Sequence, residues 1–302
     1  MYNESEVLDI FFERVPKVLA ETGETYEIIC INDGSRDDTL QKLIQANEKD
    51  DRIKVIELSR NFGKEIALTA GIDMASGDAV IPIDADLQDP PELIPEMLAK
   101  WREGYDMVLA IRNDRQSDSV LKRNSARWFY SIMQKLGEVP IPANGGDFRL
   151  MDRQVVEALK QVPERTRFMK GLFAWLGFKT TAVYFAREAR AAGTTSWHYW
   201  KLWNFALEGI ISFSTKPLKI WSYLGILTSF GAAVYLAIIV LRTLVLGVDV
   251  PGYASLMAVI LFFFGLNMLS MGVIGEYLSR IFMEVKRRPL YLVRKTYGLE
   301  QE

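Results

Sequence analysis

The sequence predicts an α/β domain with a Rossmann-like, mainly parallel sheet, followed by an interfacial helix and two transmembrane α-helices. Three observations predict it. Helical and strand patterns alternate through the first 150 residues, which is the pattern of βαβ units. Residues 220–241 and 250–275 form stretches of 22 and 26 residues without a charge, each long enough to cross a bilayer core of roughly 30 Å as a helix. Just before them, residues 197–211 are dense in Trp and Tyr, a composition suited to the headgroup layer.

The elements follow in order. Residues 6–20 have helical spacing, 26–31 read as a strand and 38–50 as a helix. Strand 53–58, helix 65–75, strand 79–83, helix 93–103 and strand 105–111 continue the alternation. Sheets of this kind bind ligands beyond the carboxyl ends of their strands. The polar clusters fall at that edge: Asn32-Asp33-Gly34-Ser35, Ser59-Arg60-Asn61-Phe62-Gly63-Lys64 and Asp84-Ala85-Asp86. No Gly-x-Gly-x-x-Gly and no Gly-x-x-x-x-Gly-Lys-Ser/Thr follows a strand, so phosphate charge must be met mainly by a metal and by arginines.

The pair Asp84 and Asp86 closes an apolar run and precedes Pro90-Pro91. If the strand persists, the two carboxylates share a face, because side chains repeat with period two. A hard divalent cation relieves their repulsion, and Mg²⁺ commonly takes one or two carboxylates plus substrate phosphates.

Composition excludes other classes. The 36 basic residues nearly balance the 38 acidic ones, so no nucleic-acid footprint is present. The single cysteine, Cys30, rules out an intramolecular disulfide and reads as a buried thiol. Lys216 and Lys219 precede the first apolar stretch, and Arg280, Lys286, Arg287 and Arg288 follow the second. The positive-inside rule then places both ends and the N-terminal domain in the cytoplasm. The polar, acidic first residues do not read as a secretory signal.

The expected organisation is a catalytic domain over 1–196, an amphipathic interfacial segment over 197–219, transmembrane helices over 220–246 and 250–279, and a cytoplasmic tail over 280–302. Gly225, Gly231, Gly265 and Gly272 are small residues suited to close helix contacts.

Taken together, Tyr2-Asn3-Glu4, Asn32–Thr39 by number 32–39, Ser59 to Lys64, residues 84–91, Gly145-Gly146-Asp147-Phe148-Arg149-Leu150-Met151 and Arg187-Glu188-Ala189-Arg190-Ala191-Ala192-Gly193 resemble the polyprenyl-phosphate glycosyltransferases of glycosyltransferase family 2. That group includes dolichol-phosphate mannose synthases and bacterial undecaprenyl-phosphate glucosyltransferases with two C-terminal spans.

The resemblance implies a GT-A fold, a nucleotide-sugar donor with UDP-glucose first, a polyprenyl-phosphate acceptor, Mg²⁺ or Mn²⁺, and residence in the bacterial inner membrane. Tyr2, Glu4 and Asp33 match nucleoside-contacting positions. Asp84 matches a position near ribose and sugar, and Asp86 and Gln88 match the metal site. Asp147 and Arg149 match the acceptor side and Arg187 matches a residue that faces the lipid phosphate, so Arg149 and Arg187, with Lys122 and Arg123, are the acceptor-phosphate candidates. Asn32 stands where the family usually has Asp, and Thr195-Ser196-Trp197 stands where relatives often carry Ser-Lys-Tyr.

The chemistry follows from the acceptor. A phosphate monoester carries about −1.5 to −2 charge near neutral pH, so it needs less help from a general base than an alcohol does. Asp147 is therefore read as positioning the acceptor or the arginines, within the catalytic set Asp84, Asp86, Asp147 and Arg149. Mannose from GDP-mannose or a modified aminosugar are the alternative donors. A membrane-anchored sugar-nucleotide sensor without turnover is the alternative of another class.

Overall fold

The structure, a computed structural model, describes residues 1–112, 145–162, 164–165, 167–185, 216–246 and 252–299. The chain divides into two units, Met1–Gly209 with Arg288–Glu302, and Ile210–Arg287.

In the first unit, α1 (Leu8–Glu21) leads into β1 (Ile28–Asn32), α2 (Thr39–Lys49), β2 (Ile53–Leu58) and α3 (Lys64–Met74). Next come β3 (Ala79–Val80), a 3-10 turn (Pro91–Leu93), α4 (Ile94–Arg102), β4 (Met107–Arg112), β5 (Gly145–Asp152), α5 (Arg153–Lys160), α6 (Met169–Trp175) and β6 (Thr180–Phe185). The second unit holds α7 (Lys216–Leu246) and α8 (Tyr253–Val285), after which β7 (Val293–Tyr297) returns to the first.

The strands form two sheets, ordered β1-β2-β7 and β3-β5-β4-β6. Pairs β1/β2 and β4/β6 are parallel, whereas β2/β7, β3/β5 and β4/β5 are antiparallel. The expectation of a mainly parallel sheet is thus corrected to mixed sheets. Its source was the βαβ alternation of residues 26–111; β5 and β7, which lie outside that alternation, supply the antiparallel pairings.

Strand β3 is also shorter than expected, ending at Val80 rather than residue 83. Pro82 has no N–H to give a ladder. The tail differs most from expectation. Val55 to Leu58 of β2 pair with residues 293–297, Ser59 N–H donates to the Leu292 carbonyl at 2.9 Å, and the Tyr291 hydroxyl donates to Asp73 at 3.0 Å. The tail is part of the first unit's sheet.

Apolar periodicity explains the packing. Leu8, Phe11 and Val15 of α1 recur at helical spacing and bury against Cys30, Leu43 and Val55, with Ala85 and Leu87 in the same cluster. Burial pushes the Cys30 thiol up to about 12, so it remains neutral and inert. A second cluster joins Val108, Ala110, Phe148, Leu150 and Val183 beneath Ile94 and Met97.

Helices α7 and α8 occupy the two uncharged stretches and present large apolar side chains such as Phe230, Phe262 and Leu269 outward. Among the described residues, no helix is long and apolar enough to cross a membrane. Of the expected interfacial segment 197–219, residues 197–215 lie outside the described residues and 216–219 open α7.

Candidate active site

The site starts from two loops at the carboxyl ends of β1 and β2. Asp33, buried, accepts the Phe62 N–H on Oδ1 at 2.7 Å and the Gly63 N–H on Oδ2 at 2.9 Å. Gly34 has φ +68°, and a Cβ there would lie 2.6 Å from Arg60 C and Asn61 N. Only glycine lets the loops approach this closely. The Tyr2-Asn3-Glu4 segment is strapped to the first loop, with Asn3 N–H donating to Ser35 Oγ at 3.1 Å and Glu4 N–H to Thr39 Oγ1 at 2.9 Å. A cavity of about 270 Å³ opens here, lined by Tyr2, Asn32, Ser35, Glu57, Arg60 and Arg294 among others.

The Asp84-Ala85-Asp86 segment is not a strand, yet it keeps the alternation expected of one. Ala85 and Leu87 are buried in the α1 core while Asp84, Asp86 and Gln88 stay partly exposed. Leu87 holds φ +53°, a cost for a non-glycine residue that its buried side chain offsets. Gln88 N–H donates to Asp86 Oδ1 at 3.2 Å.

Among the described residues, no group of three His, Cys, Asp or Glu side chains could hold a metal by itself. Asp86 and Gln88 do supply the oxygen donors that a hard divalent cation takes when a diphosphate provides the rest.

Lys64, at the first position of α3, joins the two halves. Its Nζ lies 2.6 Å from Asp84 Oδ2 and 2.9 Å from Asp147 Oδ2. Burial alone would lower its pKa, but the two carboxylates outweigh this and hold the ammonium above its usual range. A carboxylate from the 84–86 segment and one from β5 are thereby drawn to one cation.

These motif loops, in this order along one chain, are matched elsewhere. Residues 1–160 match glycosyl transferase family 2, and residues 216–281 match the GtrB C-terminal hairpin. The chain is 59% identical over 300 residues, 99% of its length and 94% of the relative's, to glycosyltransferase sll0501 of Synechocystis sp.. It is 48% identical over 296 residues, 98% of its length and 96% of the relative's, to a prophage bactoprenol glucosyl transferase homolog of Escherichia coli. The bactoprenol glucosyl transferase of Shigella phage SfII is 48% identical over 298 residues, 98% of this chain and 96% of that one.

The chain belongs to glycosyltransferase family 2. It is a glycosyltransferase with a GT-A-like α/β fold of mixed sheets and a GtrB-type C-terminal hairpin.

Within this family-2 domain, β5 carries buried charge. Asp147 stays ionised: burial opposes it, but Lys64, Lys170 and Arg149 hold its carboxyl below the usual range. Its Oδ1 is buried without a hydrogen-bond partner among the described residues. Arg149 is only 4% exposed. Its Nη2 donates to the Gly146 carbonyl at 2.6 Å, and its guanidinium lies 3.9 Å over the Phe173 ring. Burial lowers its pKa to about 10, which leaves it charged at neutral pH.

Lys122, Arg123 and Arg187 lie outside the described residues. Four residues beside the sequence-predicted positions carry no signal of their own in the sequence: Lys64, Glu65 and Lys170, which surround Asp147 electrostatically, and Arg294, which lines the cavity. Lys64 stood within a motif already noted, and its place directly after Gly63 at a helix start was the available signal. Glu65, one residue on, is pushed up to about 7 by burial and then by Asp147, against the Met169 N–H and the cations Lys64 and Lys170.

Proposed function

We propose that the protein is an inverting, metal-dependent transferase that moves glucose from UDP-glucose to a polyprenyl phosphate, undecaprenyl phosphate, at the cytoplasmic face of the bacterial inner membrane. The observation that carries this reading is the Lys64 bridge between Asp84 and Asp147. It brings the donor-side segment and the strand matched to the acceptor side to a common point. The names of the phage and E. coli relatives support glucose as the sugar and bactoprenol, a polyprenyl alcohol, as the lipid.

The donor nucleoside is assigned to the cavity at Tyr2, Asn32 and Ser35, with Asp33 holding its loops closed and the Glu4 N–H tied to Thr39 Oγ1. A divalent cation, Mg²⁺ or Mn²⁺, held by Asp86 and Gln88, would supply charge neutralisation for the diphosphate leaving group. An oxygen of the acceptor phosphate attacks C1 of glucose on the face opposite UDP. The C1–O bond to UDP breaks and the electron pair leaves with UDP, which inverts the anomeric centre.

Because the attacking phosphate is already ionised, no residue needs to remove its proton. Asp147, held ionised beside Lys64, orients that cation. Arg149 holds the Gly146 bend from below, and the acceptor phosphate is assigned to Lys122, Arg123 and Arg187.

Helices α7 and α8 are assigned as transmembrane spans over 220–246 and 250–279, on the length of their uncharged stretches and the outward apolar side chains. The 197–219 segment would hold the domain at the interface. A lipid acceptor requires this, since removing each CH₂ from the bilayer costs about 0.8 kcal/mol. The assembly is assigned as a homo-oligomer through the small residues of these helices.

The test uses the full chain in detergent with undecaprenyl phosphate, Mg²⁺ or Mn²⁺ and radiolabelled nucleotide sugars. Label is expected in the organic phase from UDP-glucose alone, and to disappear with EDTA and with Asp86→Ala. Label from GDP-mannose instead would replace the donor. Donor binding without any lipid-linked label would favour a sensor.

A further inference from the structure

The tail that follows the helical hairpin reaches the nucleotide cavity. Arg294, in β7, lines that cavity although it lies more than 200 positions after the other lining residues, which fall between Tyr2 and Asn61. The strand is held on both sides of this arginine. Before it, the Leu292 carbonyl accepts the Ser59 N–H, and Tyr291 packs with Leu299 on the Ile31–Ile56–Leu58 cluster. After it, Gly298 has φ +73°, and a Cβ there would collide with the Asn47 side chain, which itself donates to the Ile53 carbonyl at 2.6 Å.

Arg294 Nη1 donates to Glu57 Oε1 at 3.3 Å, while its side chain remains 69% exposed and that of Glu57 only 11%. A guanidinium offers several donors in one plane and a carboxylate only acceptors, so the pair turns a donor and an acceptor, side by side, to the cavity.

We propose that Arg294 and Glu57 together read the edge of the donor's base, choosing bases that carry a ring N–H beside a carbonyl oxygen. Uracil and guanine present this edge. Cytosine presents an amino group beside a bare ring nitrogen, so it would set donor against donor at Arg294 and acceptor beside a mismatched partner at Glu57. The proposal rests on the nucleotide-sugar reading of the cavity above and adds a selecting residue from the tail. Glu57 is the buried member of the pair, and a buried hydrogen-bonding group left unpaired rejects a mismatched analogue far more strongly than an apolar pocket does.

The experiment is calorimetric titration of the full chain in detergent with UDP, CDP and GDP. Wild-type protein is expected to bind UDP at least about tenfold more tightly than CDP, the value of one charge-assisted hydrogen bond. Arg294→Ala should lose about tenfold for UDP and little for CDP. Glu57→Gln, whose amide can present either a donor or an acceptor, should narrow the preference further. Since Arg294 is mostly exposed, its replacement leaves the core intact, and Lys295→Ala on the same strand serves as the charge control.

An unchanged UDP affinity in Arg294→Ala overturns the proposal. So does an equal loss for all three nucleotides, which would mark the arginine as a general phosphate attractant. Wild-type protein that binds no UDP overturns the donor assignment itself, a separate result.

Discussion

The two sheets carry their polar groups in opposite ways. At the ends of β1 and β2, polar side chains are satisfied by backbone: both oxygens of Asp33 accept amides, and Asn32 Oδ1 accepts the Ser35 N–H at 3.2 Å. Around β5, charges are buried and left partly open: Asp147 Oδ1 and Arg149 Nε have no partner among the described residues. Unmet buried polar atoms cost stability, and a fold retains them where a ligand or a reaction uses them. The loops after β1 and β2 are therefore tied by backbone, whereas β5 holds charged groups with polar atoms left unpaired. Lys64 connects the two through Asp84 and Asp147.

The strongest way to break this contrast is Lys64→Met. If the bridge serves chemistry, kcat for lipid-linked transfer should fall by on the order of 100-fold, the scale for removing one preorganised electrostatic group, while UDP affinity stays close to wild type. Turnover within a factor of about two of wild type, in a variant that remains folded, would remove Lys64 from the reaction and leave the contrast one of structure alone.

Asp147→Asn comes next, with an expected loss of roughly tenfold or more in kcat. Because Lys64 and Lys170 hold Asp147 ionised, the loss should be the same at every pH where the enzyme works. A loss confined to the alkaline limb of the profile would instead make Asp147 a proton acceptor.

The sequence carried the first sheet's half of the site well. Asp33 and Gly34 sit in a short polar break after an apolar strand, and a local rule, glycine where a chain needs positive φ, is enough to place them. The second half was less legible because its cause is not local. Arg149 is charged yet almost fully buried, and β5 buries Phe148, Leu150 and Met151 in succession, so no period-two pattern marks it as a strand. Strand β7 carries Arg294 and Lys295 after a long helix and reads as a solvated tail. Its pairing with β2 spans more than 200 residues of chain, and no window of sequence contains both partners. Asp84 and Asp86 were placed on one side for a reason the structure alters: buried Ala85 and Leu87, rather than a strand ladder, fix their alternation.

Asp33→Asn probes the rigid half. An amide has a single acceptor oxygen, so one of the Phe62 and Gly63 amides loses its partner, a cost of about 1–3 kcal/mol. UDP binding should weaken with the loosened loops, while kcat at saturating donor stays near wild type. A variant with wild-type unfolding and nucleotide affinity would show that the loops are held by packing, with Gly34 as the next position to change.

Glu65→Gln gives the smallest effect and is read through stability. Burial, followed by Asp147, raises Glu65 from 4.5 to about 7. The folded protein therefore holds this proton more tightly than the unfolded chain does. Between pH 4.5 and about 7 the native state binds more protons, so stability falls as pH rises through that window. Below it both states are protonated and nothing is lost; above it the loss is complete.

Glutamine mimics the neutral acid at every pH. The variant should unfold at the wild-type temperature near about pH 4.5, and a few degrees higher near about pH 8. A shift of equal size at both pH values would trace the gain to packing. No shift at either would mean that Lys64 and Lys170 already compensate the ionised carboxylate, so that the charge around β5 is balanced rather than held in reserve.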